Sequence, residues 1–496
     1  MTEYDAIIVG SGPNGLSAAV TLARAGLKVI VYERNSTIGG GARTAELTLP
    51  GFLHDVCSAV HPMALASGFF RRFGLNERID LRVPEVSYGH PLDGGRAGIA
   101  WHDLDRTVEG LGADGPAWKS LMGPLVANAN RVAQFTGSQL LQLPRHPLTA
   151  ALFGLRSLEQ GSRAWNLRFR EDAAPAMLSG VAAHSILPMP SLATAGAALS
   201  LGTYAHAHGW PIPIGGSQSI VNALADDLRA HGGEIVTDTE IFSLDELPSS
   251  KAVLLDVSAK AMLKLATLPD AYVKRVERFT FGNAVAKVDF ALSGPVPWTN
   301  EDLRRAGTLH VGGTRAEIAA AEADVAAGKH SDRPYVLVAQ PSIADATRAP
   351  AGSHVLWAYT HVPRNSTLDQ TEAITRQIER FAPGFRDLVL ARSSMTARDM
   401  ENYNPNYVGG DIAAGGASFT QLLARPVLSP DPWRTPAAGV YLCSSSTPPG
   451  PGVTGLPGYY AARSALRHEF GITAAPSLAP SLAAPLAPPF APPLAS

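Results

Sequence analysis

The chain has 496 residues, is 46% hydrophobic and 17% charged, and carries a formal net charge of −2. It is too long for one small core and long enough for two or three domains, and its balanced charge excludes the strong field that draws nucleic acid or an anionic membrane. The two cysteines, Cys57 and Cys443, lie far apart, which excludes a CxxC redox centre and argues against a disulfide scaffold.

The first element is a buried strand, "YDAIIVG", apolar and rich in β-branched residues. A G-x-G-x-x-G turn follows at Gly10, Gly12 and Gly15, with Pro13 and Asn14 inside it. "LSAAVTLARAG" then has helical spacing, with Leu16, Ala19, Leu22 and Ala23 on one face, and "LKVIVYER" is a second strand. This order is the one a dinucleotide site requires. Gly10 allows the tight turn, Gly12 lets the backbone approach a pyrophosphate, Gly15 lets helix and strand pack, and the helix N-terminus offers free N–H groups to phosphate. Glu33 closes the second strand 18 residues after Gly15, where an acid binds adenosine ribose hydroxyls. The chain enters its first strand within five residues of Met1, which leaves no room for a signal peptide. No run approaches the apolar length of a membrane-spanning helix, and the expected compartment is the cytosol.

Arg34 leads into "NSTIGGGART", a second glycine cluster at Gly39, Gly40 and Gly41 followed by Arg43. It resembles the extended fingerprint of the flavoprotein superfamily that holds glutathione reductase, the amine oxidases and the phytoene desaturases. There the glycines and the arginine lie along the FAD diphosphate and ribityl chain, so the resemblance implies FAD rather than NAD. "FLHDVCSAVHP" comes next and carries Ser58 and His61.

Residues 115–200 read as helices, with apolar stretches such as "PLTAALFGL". "YAHAHGW" sets His206 and His208 two apart, on one face if the segment is a strand, but no further ligand is in view and no metal is expected. "GWPIPIGGSQSIVNALADDLRAHGGEIVTDTEI" reads as a turn, a helix and a short strand ending near Ile241. It resembles the second FAD-contacting segment of the same flavoproteins, where backbone at the Ile241 position brackets the adenine. "AVLLD" is the next strand. From 276 to 365, strands such as "NAVAKVDFAL" and "SHVLWAYTHV" predict a sheet, with "TEAITRQIERFAPGF" an amphipathic helix behind it. Lys287 alternates onto one face of the first of these with Val285 and Asp289. Lysine is almost never fully buried unpaired, so Lys287 is either an edge lysine paired with Asp289 or a functional group. "ENYNPNYVGGDIAAGG" holds Asn404, Asn406 and Asp411 among glycines. "AGVYLCSSSTPPGPGVTGLPGYYAARSAL" reads as a strand, a Gly/Pro-rich loop and a helix from about Thr454. Beyond residue 473 the chain is almost only Ala, Pro, Leu and Ser, which predicts an extended, unpacked tail and leaves a peripheral membrane contact open.

Up to about residue 470, "GSGPNGLSAA", "FLHDVCSAVHP", "GWPIPIGGSQ", "NPNYVGGDI" and "CSSSTPPGPGV" resemble the phytoene-desaturase-like FAD oxidoreductases. The nearest branch is the one related to pyridine nucleotide-disulphide oxidoreductase domain-containing protein 2. The resemblance implies an α/β fold. Its FAD domain is discontinuous, Rossmann-like and of the glutathione-reductase type, over 1–65, 205–275 and 428–472. Residues 66–204 and 276–427 form an α+β substrate domain with a mixed sheet and a helical part, and 473–496 form the tail. Ser444, Ser445, Gly452, Val453 and Thr454 are implied to meet the flavin, with serines where amine oxidases and hydroxylases carry an acid. The expected activity is an FAD-dependent dehydrogenase or desaturase acting on a small or lipophilic molecule, with oxygen or a quinone as electron acceptor. In flavin amine oxidases a lysine on the strand matching that of Lys287 holds a water against flavin N5, which makes Lys287 the first catalytic candidate. His61 is the second, as the best-placed titratable group. Asn404, Asn406 and Asp411 are implied on the substrate side. An amine or alcohol oxidase using Lys287 and oxygen remains an alternative, as does a non-enzymatic flavoprotein scaffold.

Overall fold

Two sheets organise the molecule, and a computed structural model describes residues 3–480. The first sheet has five parallel strands in the order Val440–Leu442, Ala252–Leu255, Ala6–Val9, Val29–Tyr32 and Glu234–Val236. Its central strand, AIIV, is buried along its whole length, as a parallel strand covered on both faces must be. The helix Pro13–Ala23 leaves the glycine turn and packs against the helix Leu456–Glu469. That packing depends on Gly458, where a Cβ would come 1.8 Å from the Asn14 carbonyl oxygen.

The second sheet has seven strands in the order Val389–Met395, Ala284–Leu292, His354–Val362, Val336–Ala339, Ala306–Val311, Val86–Pro91 and Ala97–Trp101. It is antiparallel except where Ala306–Val311 runs parallel to Val86–Pro91. One face packs on the amphipathic helix Thr371–Phe381, through Ile374, Ile378 and Phe381. Helices Pro147–Gln160, Ala173–Ala182 and Leu192–Ala207 lie on the other side, where Phe153, Met177, Val181 and Leu199 share a core with Trp118 and Trp210.

Three features depart from the sequence reading. The strand expected to reach Ile241 is only Glu234–Val236, and Asp238, at φ 54°, turns the chain before it gets there. Past the expected boundary at residue 65, Phe69, Phe70 and Phe73 of helix Gly68–Phe73 sit in the core of the first sheet. The segment expected to be an unpacked tail from 473 is docked through residue 480: Leu478 is 2% exposed within that same core, and the Ala479 carbonyl accepts from Arg24 Nη1 at 3.0 Å. Residues 481–496 of that tail lie outside the described residues. Burying one leucine contributes about 1.5–3 kcal/mol. A chain ending at Thr473 should therefore lose about that much stability in urea, and Leu478→Ala in the full chain should reproduce most of the loss.

Candidate functional site

The two sheets enclose a cavity of about 1100 Å³ that runs from the glycine turn to the helices over the second sheet. Its first half is a glycine-lined cradle with the chemistry of a dinucleotide site. Gly10 adopts φ +101°, and a Cβ there would come 2.8 Å from the Asp256 carbonyl. At Gly15 a Cβ would lie 2.1 Å from the Gly10 carbonyl, and at Gly40 it would lie 3.2 Å from Gly12 Cα. These are close backbone approaches that only glycine permits. Glu33 is buried and fixed in place: Oε2 accepts from the Ser11 amide at 3.1 Å and its hydroxyl at 2.6 Å, while Oε1 accepts from the Asn35 amide at 2.9 Å. Arg43 reaches Glu33 Oε1 at 3.4 Å and donates to the Thr37 carbonyl at 2.7 Å. Asn14 Oδ1 and Arg43 Nε, both on residues of the cavity wall, are buried without a partner. A narrow glycine cradle, a fixed acid and unspent polar atoms suit a dinucleotide with a diphosphate.

Most expected cofactor residues come together here. Gly10, Gly12, Pro13, Asn14, Glu33, Arg34, Gly40, Gly41, Arg43, Ser58, Ile241, Ser444, Ser445, Gly452 and Val453 line the cavity. Gly15 stands behind it and gives its N–H to Asp256 Oδ2 at 2.8 Å. Thr454 is not on the wall; its carbonyl accepts from the Ser67 hydroxyl and its own hydroxyl caps Leu456. Asp256 was invisible as a site residue in the sequence. It follows the strand Ala252–Leu255 and places a buried carboxyl against the turn, where burial and the nearby Glu33 push it up to about 7.

The catalytic candidates separate. Lys287 does not reach the cavity wall. It lies on the second strand of the sheet rather than at its edge, and its ammonium donates to the carbonyls of Val56 at 2.6 Å and Asp55 at 3.2 Å. It also sits 2.8 Å from Asp289 Oδ2, an ion-pair contact outside hydrogen-bond alignment. The lysine thus clamps the segment carrying Ser58 and His61 onto the sheet. His61 lines the cavity, with Nε2 2.8 Å from Ser217 Oγ. Ser217 gives its own proton to the Ser58 carbonyl, so His61 carries its hydrogen on Nε2 and leaves Nδ1 a bare acceptor. Burial lowers its pKa to about 4.

Asn404 and Asn406 line the cavity, and Asn406 Oδ1 caps the Ser258 amide at 2.7 Å. Asp411 does not. Its carboxylate is consumed by the amides of Gly282, Ala413 and Gly415 at 2.7–3.0 Å, a loop clamp rather than a substrate contact. His206 ends the helix Leu192–Ala207 instead of lying on a strand, and it is held between the Trp101 carbonyl and the Trp118 indole.

The second half of the cavity differs in chemistry. Its floor is one face of the seven-stranded sheet, with Thr308, Leu337, Ala339, Trp357 and Tyr359, and its roof includes Phe135, Phe153, Leu192 and Leu201. The charged residues on the cavity wall, Glu33, Arg34, Arg43, Glu240, Asp256 and Lys264, all stand in the dinucleotide half.

The model of the family "Flavin containing amine oxidoreductase" matches residues 14–453. The chain is 26% identical over 564 residues to pyridine nucleotide-disulfide oxidoreductase domain-containing protein 2 of Rattus norvegicus, covering 94% of both chains. Among solved structures it resembles putrescine oxidase bound to putrescine, with a TM-score of 0.58 at 18% identity, covering 93% of this chain and 98% of that one. It also resembles cyclohexylamine oxidase from Brevibacterium oxydans IH-35A, with a TM-score of 0.56 at 15% identity, covering 95% and 100%. The family match starts inside the glycine turn and ends at the Gly452–Val453 wall, so that it takes in the cavity wall from Asn14 onward: the chain belongs to the flavin-containing amine oxidoreductase family and is an FAD-dependent oxidoreductase.

Proposed function

We propose that the protein is an FAD-dependent dehydrogenase or desaturase for an uncharged, lipophilic substrate. The observation that carries this reading is the charge division of the cavity: among the described residues, no Asp, Glu, Lys or Arg lines the half above the sheet. A protonated amine entering that half would lose its hydration with no counter-charge to replace it. An apolar molecule gains from the same surface. FAD, when bound, supplies the two-electron acceptor. The protein's part is to exclude water with Phe135, Phe153 and Trp357, to align the substrate, and to offer His61 Nδ1 as a neutral hydrogen-bond acceptor.

Lys287 acts in this reading as a positioning residue, since its ammonium is held by two hydrogen bonds to the 55–56 backbone and by its ion pair with Asp289. Among the described residues, no ammonium stands on the cavity wall of the substrate half to assist oxygen reduction, which supports an acceptor such as a quinone over O2. Photoreducing the holoprotein without air and mixing it with either acceptor tests this. Slow reoxidation by O2 and fast reoxidation by a quinone are expected. Fast reoxidation by O2 with peroxide release would favour the amine or alcohol oxidase.

A further inference from the structure

Deep in the uncharged half stands a pair of histidines that the proposed chemistry does not use. His184, on the turn Ala183–Ser185, lines the cavity, and its Nε2 lies 2.9 Å from Nε2 of His310 on the strand Ala306–Val311. His310 is fully buried. The Trp210 indole stands edge-on to both rings, with centroids 5.7 Å and 5.8 Å away. Burial holds both imidazoles neutral, His184 down to about 3 and His310 well below its ordinary value.

Two neutral imidazoles that share one hydrogen bond have two arrangements. If His184 donated, His310 would carry its remaining hydrogen on Nδ1, which is buried without a partner. A buried N–H with no acceptor is costly and rare, whereas an idle ring lone pair leaves no hydrogen stranded. His310 therefore donates from Nε2 and keeps Nδ1 bare. His184 accepts on Nε2, and its hydrogen sits on Nδ1. That nitrogen has no hydrogen-bond partner among the described residues and is not sealed in the interior as the His310 Nδ1 is.

We propose that His184 is the polar anchor of the substrate, its Nδ1–H donating to a carbonyl or hydroxyl oxygen on an otherwise lipophilic molecule. This rests on the proposed reading of the uncharged half as the substrate site. The histidine pair adds a direction to that site. A fixed N–H meets an oxygen lone pair well and meets an ammonium, which has only donors, as a conflict. The fully buried His310 is thus a positioning residue, since it sets which nitrogen of His184 carries the hydrogen. Phe153, Leu192, Leu201 and Leu337 supply the apolar surroundings in which one such bond discriminates.

The test uses the FAD-loaded full chain and three probes of equal length, 2-octanone, octane and octylammonium, with binding read from the change in flavin absorbance. The ketone should bind about tenfold more tightly than octane, and octylammonium most weakly. His184→Phe should lower ketone affinity about tenfold and leave octane binding unchanged, with flavin content and melting temperature as controls for folding. His184→Gln, which retains an N–H donor, should keep the preference for the ketone. If octane binds as tightly as the ketone and octylammonium binds more weakly than both, the anchor is overturned while the uncharged substrate half stands. If octylammonium binds at least as tightly as the ketone, the anchor and the uncharged reading of this half are both overturned. If ketone and octane affinities fall together in His184→Phe, the hydrogen bond is overturned. If none of the probes perturbs the flavin, the reading of this half as the substrate site fails, and the anchor with it.

Discussion

Lys287→Met is expected to cost about 3–5 kcal/mol of stability, because it strips the partner from a buried carboxylate. Methionine fills nearly the volume of lysine, so packing alone would cost little. What it removes is the ammonium 2.8 Å from Asp289 Oδ2 and the two bonds to the 55–56 carbonyls. The remaining cationic neighbour of Asp289 is His54, 3.8 Å away, whose pKa burial lowers to about 3, so that it is neutral near pH 7. Burial already raises Asp289 to about 6 while Lys287 pulls it down. A folded pKa above the unfolded value near 3.9 means that Asp289 favours folding at low pH and loses that contribution as pH rises through about 6. The penalty of Lys287→Met should therefore be smaller at pH 5 than at pH 8. Replacing both partners, Lys287→Met with Asp289→Leu, should recover most of the loss. Urea unfolding midpoints at the two pH values check both statements. A lysine that served only the flavin chemistry would leave every midpoint in place and change a flavin half-reaction instead.

Asp256→Asn should have its effect on the other side of neutrality. The wild-type carboxyl occupies the Gly15 amide at 2.8 Å inside a turn that presents N–H groups to a diphosphate. Its folded pKa, about 7, also lies above the unfolded value, so its contribution is fully present below about pH 4 and is lost as pH rises through 7. The gap between the folded and unfolded values bounds that loss at roughly 4 kcal/mol. An asparagine keeps the acceptor for Gly15 and cannot ionise. The melting temperature of the apoprotein variant should equal that of wild type below about pH 4, exceed it by a growing margin as pH rises towards 7, and exceed it by the full margin at pH 8. FAD held in this turn would bring the negative charge of its diphosphate towards this carboxyl. Wild-type affinity for FAD should then fall with pH above about 7, at most about tenfold per pH unit, and the variant's affinity should stay flat. Quenching of FAD fluorescence from pH 6 to 9 measures it, and parallel curves for the two proteins would count against a titrating Asp256.

What the sequence disclosed and what it hid follow one physical line. The glycine turn, Glu33, the 39–43 cluster and the closing loop were legible because each demands a residue type from its own backbone geometry, and short-range spacing reports that. The fate of Lys287 depended on which distant segment covers its strand, and that segment proved to be residues 55–56. Asp411 read as a loop acid beside substrate, but three amides brought round by the chain use it up. His184 meets His310 across 126 residues of chain, Asp256 reaches Gly15 across 241, and Gly458 touches Asn14 only once two helices have docked. No local pattern encodes such meetings. The docking of Leu478 was hidden because a Pro-rich composition speaks against helix and sheet but not against an extended strap.

The proposal that the uncharged half of the cavity sets the substrate class is tested most directly by anaerobic bleaching of the holoprotein's flavin. The holoprotein would be mixed without oxygen with two matched sets, uncharged lipophilic alcohols and ketones on one side and aliphatic amines including putrescine on the other. Bleaching by members of the uncharged set, with none at comparable rate from the amines, is the predicted result. Rapid bleaching by putrescine or an alkylamine, with the uncharged set inert, would contradict it.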